Sequence, residues 1–193
     1  MEYLKYILYS FIVLAFSSCE YNLLRFGWTD YPVDQRFEDS RRYNEKHPAQ
    51  NLSIDTDEYT FTATSDYHLH TDSVFLPKFF DYINGSQSTF VALNGDLYNS
   101  KEEFADFAYS ALTNGIKIPA YYTCGNHDQY FGWNLFYDRF GSSTYSFTVT
   151  TPNYQDLYIA LETGSSTLGR GQYEWLLEVL SKRDEYRYCI IIT

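Results

Sequence analysis

Three short clusters in this chain combine carboxylates, imidazoles and an amide: Asp66-Tyr67-His68, Gly95-Asp96 and Gly125-Asn126-His127-Asp128. Asp66 and Asp96 are 30 positions apart, as are Asp96 and Asn126. Carboxylate, imidazole and amide-oxygen donors together suit one or two divalent ions, with Mn, Fe, Zn and Co all compatible. Asp66 and His68 are two apart, so along a strand they share a face; in a tight turn after the strand both reach one ion. His70 extends the first cluster and reads as a polar loop residue. His47 reads as a solvated surface residue, since nothing apolar or acidic is arranged about it.

Each cluster directly follows an apolar or β-branched run, at 59–64, 89–93 and 118–123. Such runs predict strands, so the clusters fall at strand ends, where open α/β sheets gather their ligands. Between and after them, apolar periodicity predicts helices over 72–83, 101–113, 133–140 and 172–182. Asp72 or Ser73 is a candidate cap for the first, and Pro77 offers a later start. Strands at 144–150 and 156–161 flank a Pro152-Asn153 turn, and a last strand covers 187–193. Segment 34–47 has the make-up of a short polar helix ending before Pro48. The order predicts an α/β sandwich with a mixed sheet flanked by helices.

The clusters resemble the signature of the calcineurin-like metallophosphoesterases: Asp-x-His, Gly-Asp, then Gly-Asn-His-Asp or -Glu. The resemblance runs from about residue 59 to 193 and takes in Gly171-Gln172-Tyr173-Glu174-Trp175-Leu176. It implies two divalent ions, with Asp66 and His68 on the first, Asp96 bridging and Asn126 on the second. It also implies that His127 faces the substrate and that Asp128 holds the His127 ring. The expected reaction is hydrolysis of a phosphomonoester or phosphodiester by a metal-activated hydroxide. Asn99 stands where purple acid phosphatases place a Tyr ligand, which argues against a Tyr–iron site. The family's later metal-binding histidines have no counterpart up to Thr193. The resemblance therefore implies a truncated domain. Its alternative is a catalytically inactive remnant, or a binding lipoprotein holding at most one weak metal.

The net charge of −11 speaks against a nucleic-acid backbone as the main partner. On that basis nucleic acid is unlikely, and a small phosphorylated substrate is expected. Aromatic residues make up 20%, mostly 21 Tyr and 15 Phe, which gives much half-buried amphipathic surface. At the N-terminus, Lys5 precedes a largely apolar run, 6–16, followed by Ser17-Ser18-Cys19. That length suits a signal-peptide core rather than a membrane span. Small residues before Cys19 resemble a bacterial lipoprotein signal, with Cys19 lipidated; ordinary secretion and an uncleaved anchor are the alternatives. The expected layout is a signal peptide over 1–18, a tether and lead-in over 19–57, and the partial phosphoesterase domain over 58–193. The expected location is the bacterial cell envelope, with the membrane as partner through the Cys19 lipid. Cys124 and Cys189 are expected as free thiols, a bridge between them being the lesser alternative.

Overall fold

The computed structural model describes residues 31–71, 73–99, 101–129 and 132–193. The signal segment 1–18, Cys19 and the candidate cap Asp72 lie outside the described residues. No described helix is long and apolar enough to cross a membrane.

The fold has four layers: helices, a three-stranded sheet, a four-stranded sheet and a further helix pair. The smaller sheet is wholly parallel, in the order β2 (Thr60–Thr64), β3 (Ser88–Asn94) and β4 (Ala120–Thr123). The larger one is mixed, in the order β1 (Leu52–Ser53), β5 (Tyr145–Thr150), β6 (Gln155–Ala160) and β7 (Cys189–Ile192). In it β5 and β6 form the antiparallel hairpin, while β1 and β7 pair in parallel at its flanks.

Alternation along the strands decides which layer each side chain joins. From β3, Phe90 and Ala92 enter the inter-sheet core with Tyr121, Phe147, Val149, Tyr158 and Ile192. Val91 and Leu93, one residue out of phase, face the helices. Aromatic rings fill the inter-sheet layer. Tyr121 stacks on Phe147 at 3.6 Å, and Phe90 meets Phe147 and Tyr158 edge-on. Full burial of each such ring contributes about 1.5–3 kcal/mol.

Helices α2 (Leu76–Gly85), α3 (Glu102–Gly115) and α5 (Trp133–Phe140) cover the parallel sheet, and a single turn, α4, spans Asn126–Gln129. Helix α6 (Gly169–Leu180) covers the mixed sheet through Leu176. Helix α2 starts later than the periodicity suggests because Pro77 sits in its first turn, where its missing N–H costs nothing. Helix α6 starts earlier because Gly169 adopts φ +67° and the Asp34 carboxylate accepts the Gly171 N–H at 2.9 Å.

That carboxylate belongs to α1 (Val33–Lys46). Within the stretch expected as a tether, 19–57, this helix and β1 are thus integral to the fold. Arg36 is fully buried, and Leu52 joins the inter-sheet core. Cys124 and Cys189 are free thiols, Cys124 buried and Cys189 half-buried.

Candidate metal centre

The loops after β2, β3 and β4 emerge side by side because the three strands are parallel and in register. The first two run on as a ladder: the His68 N–H bonds the Asp96 carbonyl at 2.8 Å, and the Leu69 N–H bonds that of Leu97 at 2.9 Å. Tyr67 turns inward onto Phe75 and Phe79, which leaves Asp66 and His68 on the opposite face. Asp66, His68, Gly95 and Asp96 all have positive φ, at 60°, 45°, 71° and 52°. For the three non-glycine residues this left-handed backbone is unfavourable and is held by surrounding bonds, a pattern that gathers at functional sites.

Two glycines bring the second and third loops into contact. A Cβ on Gly125 would lie 2.2 Å from Asp96 Oδ1, and one on Gly95 would lie 2.7 Å from Gly125 Cα. No larger residue fits at either position. The His127 N–H donates to Asp96 Oδ1 at 2.9 Å, so Asp96 Oδ2 is turned toward His68.

His68 Nε2 lies 3.8 Å from Asp66 Oδ1 and 4.0 Å from Asp96 Oδ2. Donors about 2.1 Å from one ion are at most about 4.2 Å apart, so His68 can share an ion with either carboxylate. His127 is close by: one ligand atom from each of His68, Asp96 and His127 lies within 4.8 Å of the others. The two imidazoles meet edge-on at 4.5 Å.

Asn126 lies elsewhere. It shares with Asp96 a cleft of about 470 Å³ whose wall includes Asn94, Thr163, Ser166 and Thr193 but neither Asp66 nor His68. Asn94 Oδ1 is buried there without a hydrogen-bond donor. A buried acceptor left unmatched is costly, and a cation would satisfy it. Asp96 is thus the residue common to the two donor groups.

Asp128, expected to hold the His127 ring, has its carboxylate bonded to backbone amides of both loops. Oδ1 accepts the backbone N–H groups of Leu97 (2.8 Å) and Tyr98 (3.1 Å), and Oδ2 accepts that of Gly125 (2.9 Å). The residue pins the β3 loop to the β4 loop. Burial pushes its carboxyl up to about 7, against the opposing pull of those backbone bonds.

Two further groups escaped sequence reasoning. Asn99 Oδ1 is 3.0 Å from His68 Nδ1, and Asn99 Nδ2 is 3.2 Å from His70 Nε2. Its only signal was its place three residues after Asp96. The second is a buried polar strut. Arg36 donates Nε and Nη2 to Glu162 Oε2 at 2.9 and 2.8 Å, and Gln129 donates to Glu162 Oε1 at 2.6 Å. It ties α1 to the helical turn that carries His127.

Comparison with protein families matches residues 51–170, more than half of the chain, to a family described as "Predicted 3'-5' exonuclease related to the exonuclease domain of PolB". The chain belongs to that family. No curated protein matches it. The match corrects the expectation of a calcineurin-like metallophosphoesterase. Nine motif residues specify donor types at strand ends, a device open to many metal hydrolases, whereas the family match weighs a much longer stretch. The general α/β class with mixed sheets and flanking helices stands. The reading that nucleic acid is unlikely, with a small phosphorylated substrate in its place, is overturned by the same match. Net charge describes the whole surface and not the few groups that meet a substrate. Metal-dependent ester hydrolysis is the chemistry that site and family have in common.

Proposed function

We propose that this chain is a divalent-metal-dependent nuclease that removes nucleotides from the 3' end of a nucleic acid. The observation that carries the metal part is the approach of His68 Nε2 to Asp66 and Asp96 at the strand ends. The family match supports the phosphodiester part. An ion held by these residues supplies positive charge at the phosphoryl group and an activated water nucleophile.

Asp66, His68 and Asp96 would hold the first ion. Asp96 and Asn126 would hold a second. His127 would meet the substrate, steadying phosphoryl oxygens or returning a proton to the leaving oxygen. Asp128 would keep the two loops in register without touching the substrate. From residues 1–19 we also infer attachment to the bacterial cell envelope through lipid on Cys19. Retention of a Cys19→Ala variant in the membrane fraction would contradict that attachment.

The test is a 5'-labelled single-stranded oligonucleotide incubated with the protein and Mn²⁺. A ladder shortening from the 3' end, abolished by chelation and by Asp96→Ala, is expected. No shortening with any of Mn²⁺, Mg²⁺, Zn²⁺ or Co²⁺, or shortening that persists in Asp96→Ala, overturns the proposal.

A further inference from the structure

We propose that Asn99 is a positioning residue that fixes the tautomer of His68, and that His70 fixes the orientation of the Asn99 amide. The inference rests on the metal-centre reading above and extends it to residues outside the donor set. An amide oxygen only accepts, so Asn99 Oδ1 at 3.0 Å requires the proton on His68 Nδ1. His68 Nε2 then carries the lone pair, and it is the atom that faces Asp66 and Asp96. With its oxygen given to His68, Asn99 presents Nδ2 to His70 at 3.2 Å, and His70 Nε2 accepts. The His70 ring is held by edge contact with Phe104 at 4.5 Å.

The amide is asymmetric, so its direction matters. Turned over, Asn99 would offer Nδ2 to His68 Nδ1. The His68 proton would then move to Nε2 and point at the carboxylates, which removes a ligand. That turn would also require the His70 proton on Nε2, so two imidazole protons must move together for the amide to turn. Groups that fix ligand orientation in this way typically govern metal affinity by about 10- to 100-fold. The anchoring ring contact explains why an exposed histidine sits two residues beyond His68 on the same loop.

The experiment measures Mn²⁺ affinity by calorimetry in the whole protein and its variants, alongside the ¹⁵N NMR tautomer of His68 in the metal-free protein. Wild type should show His68 protonated at Nδ1. Asn99→Leu should bind Mn²⁺ about 10- to 100-fold more weakly and show a mixed His68 tautomer, with unchanged circular dichroism. Asn99→Asp keeps the acceptor and should bind within a few-fold of wild type. His70→Phe keeps the ring contact and should give an intermediate loss. His68 protonated at Nε2 in wild type would overturn the proposal, and it can be read even if a variant fails to fold. Equal Mn²⁺ affinity of Asn99→Leu and wild type would also overturn it. Absence of nuclease activity alongside the expected affinities and tautomer would sink the functional reading and leave this one standing.

Discussion

The buried pair Arg36–Glu162 gives the most decisive stability measurement. Its side chains are 1% and 3% exposed. Arg36 also donates to the Tyr31 carbonyl (2.5 Å) and to Ser165 Oγ (2.7 Å). Arg36→Met leaves the Glu162 carboxylate buried with Gln129 as its remaining donor in this strut. Removing one partner of such a pair costs about 3–5 kcal/mol, because the survivor keeps its desolvation penalty. Glu162→Gln strands the guanidinium and should fall in the same range. The double variant Arg36→Met/Glu162→Gln removes both charges and keeps an acceptor for Gln129. It should therefore be more stable than Arg36→Met, with a coupling of at least about 2 kcal/mol. With a urea m of about 2 kcal/mol/M, the single variants should lose about 1.5–2.5 M in midpoint at unchanged m. Urea unfolding followed by circular dichroism reads all four corners of the cycle. A loss under about 1 kcal/mol in Arg36→Met, or additive effects in the double variant, would refute the strut as an essential tie.

Other substitutions probe the loops and the surface. Gly125→Ala should cost about 1–3 kcal/mol and weaken Mn²⁺ binding, because the new methyl meets Asp96 backbone and carboxylate together; unfolding and calorimetry check both. His127→Ala should lower oligonucleotide hydrolysis about 10²- to 10⁴-fold while leaving Mn²⁺ affinity within a few-fold, as expected of a proton-transfer group. Burial pushes the Asp156 carboxyl up, but bonds from Arg187 and Tyr59 outweigh it and set the net below the ordinary 3.8. The stability it contributes is full above that value and is lost as pH falls through the lower folded value, so Arg187→Ala should raise the midpoint of acid unfolding.

The strands that carry the site were legible because each is a continuous apolar run closed by a polar cluster. The helices were legible in place, though their starts depended on what the periodicity does not encode. Pro77 moved one start later, and a carboxylate from Asp34, far away in sequence, moved another earlier. Strand β1 was invisible because two residues carry no alternation. In the site, Asp66, His68, Asp96 and His127 were recognisable by type. The work of Asp128 was not, because its partners are backbone amides 3 to 31 residues away. Asn99 and Glu162 stayed hidden for the same reason: their meaning lies in contacts that only the fold creates. Family membership was also beyond the motifs, which name donor chemistry and leave the remaining sequence unweighed.

The strut has a bearing on the order in which this chain is made. Arg36 and Glu162 are 126 residues apart. At a synthesis rate of about 5–20 residues per second, α1 waits roughly 6–25 s for its counter-ion to be translated. During that interval its guanidinium must stay hydrated, so the helix stays off the nascent sheets. The three ligand-bearing loops, all encoded before residue 130, are complete well before the helix that locks them. The buried contact of α1 with Glu162 can thus form only after residue 162 has been made, although the helix is translated long before it.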